Sequence, residues 1–193
     1  MRTTALARLS GSLVLFALAL AAAPLANGAV APAGAAKAPF DRAFIDAMVP
    51  HHRSAIQMAV VAKKEGLESR ELRGIANAII AAQGKEITTM IGWRKAWYGS
   101  ARIDPSGADD LGLSERERGM DHDASELRRA DDVDAAFATL MIGHHQGAVR
   151  MARLALTRAT HPQLKQLARR IIATQAKEIT VLRKHADGGH GGH

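Results

Sequence analysis

Two histidine pairs, His51-His52 and His144-His145, each follow a methionine by three and four residues, Met48 and Met141. A second methionine, Met58 or Met151, comes six residues after each pair. Imidazole nitrogen suits both copper states and zinc, and thioether sulfur is soft and suits Cu(I). The chain of 193 residues has no cysteine, so it can hold neither a thiolate site nor a disulfide. Any metal must bind imidazole, thioether, carboxylate or amide.

Four further polar residues sit where a helical bundle calls for apolar ones. At about 100° per residue, Leu72, Ile75, Ala76, Ile79, Ile87 and Met90 form one stripe, and Gln83 and Glu86 fall on it. Gln175 and Glu178 repeat the pattern later in the chain. A buried carboxylate without a partner costs several kcal/mol or is neutralised, so these side chains must meet something specific. Their oxygens favour iron, manganese or zinc as ligands, or they orient the histidines from behind.

The elements that position these groups come from an internal repeat. Asp41 to Ala59 (DRAFIDAMVPHHRSAIQMA) matches Asp134 to Ala152 (DAAFATLMIGHHQGAVRMA), and Leu72 to Met90 matches Leu164 to Leu182. All four segments carry a helical period, and period-2 alternation is missing. Two αα-hairpins with one apolar face each are predicted to pack as an all-α four-helix bundle. The expected layout is repeat one at 40–98, a crossover at 99–132 and repeat two at 133–186, within a bundle spanning 37–187. In the crossover, Asp104-Pro105-Ser106-Gly107 reads as a turn, and Ser114 to Glu117 as the cap of a short helix.

Antiparallel hairpins also set a register. A turn near Gly66 places His51 opposite Gln83 and Met48 opposite Glu86. A turn near Thr160 places His144 or His145 opposite Gln175, and Met141 opposite Glu178. All four helices then contribute to one polar layer. Adjacent histidines diverge by about 100° on a helix, so one of each pair is expected to face the bundle axis and the other a neighbouring helix or the solvent edge. Met58 and Met151 lie about two turns away, as core packing or a second soft site.

Residues 1–36 read as a signal peptide and small-residue linker. Arg2 and Arg8 precede an uncharged run, Leu13 to Ala23, that is short for a membrane span. Residues 188–193 are a Gly/His tail. The expectation is export to the periplasm or outside the cell, with no stable membrane insertion after signal cleavage. The formal charge is +7. Lys and Arg alternate with acids along helical faces and aromatics are few, which speaks against nucleic-acid binding. The expected partners are metal ions, and a homodimer stays open.

The doubled D-x-x-F-x-x-x-M-x-x-H-H-x-x-A-x-x-M-A pattern, with A-x-x-I-I-x-x-Q-x-x-E-I after each copy, resembles the Domain of Unknown Function 305 family over about residues 38 to 186. The resemblance implies an exported ferritin-like bundle that handles metal, with copper as first candidate; zinc, iron or manganese are the alternatives that the carboxylate and amide oxygens leave open. It places the motif on Met48, His51, His52, Met58, Met141, His144, His145 and Met151. The crossover departs from many relatives in keeping only Met120. The sequence-based reading is copper sequestration or homeostasis without catalytic turnover. Its rivals are a ferritin-like dimetal redox enzyme, and a structural bundle whose polar layer holds no metal.

Overall fold

The computed structural model describes residues 39–186, so the segment read as signal and linker and the Gly/His tail lie outside the described residues. The described chain is all-helical. Helix α1 spans Pro39–Glu65 and α2 Arg70–Tyr98. The crossover contains a 3₁₀ helix at Pro105–Leu111, a one-turn helix α3 at Glu115–Arg118 and a 3₁₀ turn at Leu127–Arg129. Helix α4 spans Val133–Arg158 and α5 Pro162–Ala186. Pro50 leaves α1 α-helical throughout, with no π turn.

Local chemistry sets the helix ends. Gly66, at φ 106°, takes the left-handed conformation that ends α1 without a Cβ penalty. The Ser69 hydroxyl then caps α2 by accepting from Leu72 N. Asp132 caps α4 through Ala135 N, and Pro162 begins α5, where a missing N–H costs nothing. In the crossover, Ser114 and Glu117 form the expected capping box, and Asp104 caps the 3₁₀ helix.

Helix α1 packs on α2 and α4, α4 packs on α5, and α2 meets α5 only along a narrow seam. The crossover covers α1 and α4. Buried apolar residues fall into two clusters. One joins the first half of α1 (Phe44, Met48) with the second half of α4 (Met151, Ala155) and the start of α5 (Leu164, Leu167). The other joins the second half of α1 (Met58, Ala62), the start of α2 (Leu72, Ile79) and the first half of α4 (Phe137, Met141). Thus α1 and α4 run antiparallel, and the histidines lie between the clusters.

The acidic residue that opens each repeat locks the opposite hairpin. Buried Asp41 of α1 accepts from Thr160 N and Oγ1 at 2.9 Å each and from His161 N at 2.8 Å, in the α4–α5 turn. It also accepts from His161 Nδ1 at 2.5 Å. Asp134 of α4 accepts from Glu68 N and Ser69 N, both at 2.8 Å, in the α1–α2 turn. Trp97 lies flat on His161, ring centres 3.7 Å apart, and Trp93 stacks on Trp97. The aromatic cluster at the end of α2 therefore clamps the other hairpin's turn.

Removing Asp41 leaves several donors buried or poorly solvated, each worth roughly 1–3 kcal/mol. Asp41→Ala is expected to cost roughly 2–4 kcal/mol in urea unfolding, and Asp134→Ala about half as much. Equal losses would contradict the unequal donor counts.

Candidate metal centre

His51 and His52 diverge as adjacent helical residues must. His51 points to α4, where its ring lies 3.7 Å, centre to centre, from that of His144. His52 points to α2, where its Nε2 donates to Glu86 Oε2 at 2.7 Å. Helix α4 repeats the scheme, His145 Nε2 donating to Glu178 Oε2 of α5 at 2.8 Å. All four imidazoles are buried.

The register differs from the sequence-based expectation by about one turn. Glu86 and Glu178 meet His52 and His145, not Met48 and Met141. Side chains on a helix lean toward its N-terminus. In an antiparallel hairpin the two partners therefore lean toward each other and pair beyond the level set by backbone rise alone. Gln83, Glu86, Gln175 and Glu178 do come together: they line a cleft of about 40 Å³ in the α2–α5 seam. That is room for about one water or ion. The methionines are buried but flank the layer, Met48 and Met151 in one apolar cluster and Met58 and Met141 in the other.

The crossover supplies a residue that the motif does not contain. His51 Nε2 donates to the backbone carbonyl of Arg118 at 2.9 Å. Gly119 sits at φ 69°, and a Cβ there would stand 2.5 Å from the Gly143 carbonyl and 2.9 Å from His144 Cα. A Cβ on Gly147 would collide with the Arg118 carbonyl. Gly147 thus leaves a lane on α4 for the crossover backbone, whereas a Cβ on Gly143 would meet open space. Repeat one has Ser54 at the place matching Gly147. This breaks the symmetry of the site: the carbonyl satisfies His51, and His144 has no counterpart.

The polar accounting is unusual. Within the layer, Nδ1 of all four histidines, Nε2 of His144, and Oε1 of Gln83 and Gln175 are buried without a protein partner. Buried polar atoms normally have one. Burial, above all, pushes the pKa of His51 and His144 well below the usual imidazole value, and repulsion from the neighbouring histidines adds to it. Both rings are therefore neutral, with lone pairs available to a Lewis acid. Among the described residues, no three His, Asp or Glu side chains converge as a finished metal cage. A bound ion must draw on thioether or amide donors, or on a small movement of the rings.

The comparisons with known proteins bear on this geometry. Residues 41–186 match the family described as Domain of unknown function (DUF305). The chain belongs to that family. No curated protein matches it. Among solved structures, CopM in the Cu(I)-bound form is 32% identical, with 78% of this chain and 98% of that one covered at a TM-score of 0.66. CopM in the Cu(II)-bound form is 32% identical, covering 77% and 96% at 0.67. The DUF305 protein of Streptomyces coelicolor is 28% identical, covering 74% and 89% at 0.66.

Three other polar residues find partners outside the layer. His185 is the penultimate residue of α5 and bonds Glu71 at 3.0 Å. His122 pairs with Glu126 at the surface. Asp46, fully buried, accepts from Arg94 Nε at 3.0 Å and from Asp104 N at 3.2 Å, tying the crossover to α1 and α2. An acid inside the apolar run Ala43 to Val49 was the available signal for that buried partner.

The glycine lane is testable. Gly147→Ala is expected to cost roughly 1–3 kcal/mol by displacing the crossover. Gly74→Ala, exposed on α2 with open space around it, is expected to gain about 0.5–1 kcal/mol. Urea midpoints distinguish the two, and a neutral Gly147→Ala would refute the close packing.

Proposed function

We propose that the histidine layer is a copper site, and that the protein sequesters or buffers copper outside the cytoplasm without turnover. One observation carries this reading. Three of the four histidines donate Nε2–H to a fixed acceptor, Glu86, Glu178 or the Arg118 carbonyl, and each leaves a buried, unpartnered Nδ1. Ligating histidines characteristically donate their second nitrogen to a carboxylate or carbonyl, which fixes the tautomer and raises ligand basicity. In this arrangement His51, His52, His144 and His145 are the imidazole donors. Glu86 and Glu178 orient two of them. Met48, Met58, Met141 and Met151 supply thioether from either side, and Gln83 and Gln175 supply amide oxygen.

The chemistry of this set favours copper. Neutral imidazole with thioether matches Cu(I), and imidazole with amide oxygen tolerates Cu(II). CopM, a relative by structure and sequence, binds both copper states and silver. Zinc, iron and manganese are the alternatives, favoured if Glu86 and Glu178 leave the histidines to bind the ion. The dimetal enzyme reading is weaker because both carboxylates are engaged as histidine acceptors. No described helix is long and apolar enough to cross a membrane. The Streptomyces coelicolor relative is named as a secreted protein, in keeping with export.

The test is competition titration of Cu(I) and Cu(II) against a chelator. Glu86→Gln with Glu178→Gln is expected to weaken binding roughly 10- to 100-fold, as loss of orienting partners does. His51→Ala with His144→Ala is expected to weaken it more. Unchanged affinity in both pairs would move the copper elsewhere, and absence of binding in the unaltered protein would leave the structural-bundle reading.

A further inference from the structure

The outer faces of α4 and α5 form a concave groove of about 290 Å³, lined by Arg150, Arg153 and Arg183 with Gln146 and Thr180, over a floor that includes buried Ile179. Its volume is at the lower end of small-molecule clefts, ~300–1,000 Å³. Among the described residues, no carboxylate lines it. Neither Arg153 nor Arg183 has a hydrogen bond or ion pair among the described residues. Arg150 is fixed at the rim, its Nε donating to the Glu117 carbonyl at 2.5 Å. The Glu117 carboxylate is held by Ser114 in the capping box and is further stabilised by the charge of Arg150.

Salt bridges at this surface join Arg42 to Asp104, Arg118 to Asp109 and Lys184 to Glu71, while the groove gathers three guanidiniums with no described carboxylate in its lining. The internal repeat supplies an independent comparison. The positions of repeat one that match Arg150, Arg153 and Arg183 are Gln57, Val60 and Ile91, while Ile87 and Thr88 match Ile179 and Thr180. Repeat one therefore carries no arginine at any of the three matching positions, and the charge is particular to repeat two.

We propose that the groove binds a phosphate-class oxyanion up to the size of a small phosphomonoester. Guanidinium groups bind such oxygens through paired, charge-assisted hydrogen bonds. Gln146 adds a neutral donor, and Ile179 provides an apolar floor for an organic substituent. The site is separate from the histidine layer and does not depend on metal. The same chemistry suits a free phosphate or the headgroup of an anionic lipid.

Isothermal titration of the metal-free protein with inorganic phosphate tests the groove, and sedimentation with phosphatidic acid vesicles against phosphatidylcholine vesicles identifies the source. Saturable phosphate binding is expected, weakened about 10-fold or more in Arg153→Gln with Arg183→Gln. Arg169→Gln with Arg170→Gln, exposed on α5 outside the groove, is expected to leave it unchanged. Arg153→Val with Arg183→Ile, which installs the repeat-one residues, guards against misfolding and is expected to lose binding equally. Arginine-dependent sedimentation with phosphatidic acid assigns a lipid headgroup, and its absence assigns a soluble anion. No saturable binding of either probe, or equal weakening in the groove and control variants, overturns the proposal.

Discussion

Four imidazoles and two amides buried between two apolar clusters are the constraint around which this molecule is arranged. A buried polar atom without a partner costs roughly 1–3 kcal/mol, against a net stability of about 5–15 kcal/mol for a whole domain. Seven such atoms in one layer are therefore not incidental packing. They make sense when the layer is completed by something outside the protein's own hydrogen-bonding groups. The two apolar clusters then act as walls, holding the donors dry and in place from either side.

Repetition builds most of that layer and the crossover finishes it unevenly. The two hairpins reproduce each other's His–Glu pair, and each locks the other's turn through Asp41 or Asp134. Only repeat two has a glycine where Gly147 stands, so the Arg118–Gly119 backbone comes in over α4 and its carbonyl reaches His51 alone. His144 is left as the one histidine with both nitrogens unpartnered. A site drawn twice by sequence is thus asymmetric in structure, with a single most available donor at its centre.

The bundle, its hairpins and its polar layer were legible because helical periodicity and an internal repeat leave a strong pattern in one chain. The divergence of His51 from His52 was legible for the same reason. The register was not. Backbone rise alone put Met48 beside Glu86, whereas the lean of side chains toward each helix N-terminus brings His52 there. The crossover contribution was hidden because it enters as a backbone carbonyl, which no side-chain pattern records. The glycines at 119 and 147 were its trace. Buried Asp46 was overlooked because its partners, Arg94 and Asp104, lie 48 and 58 residues away.

The most direct test of the histidine layer is copper K-edge X-ray absorption on the copper-loaded protein, with and without His51→Ala and His144→Ala. Copper held in this layer gives the multiple-scattering pattern of directly bonded imidazole, and that pattern is lost or strongly reduced in the variant. A copper environment without imidazole, or one that is identical in the variant, contradicts the assignment.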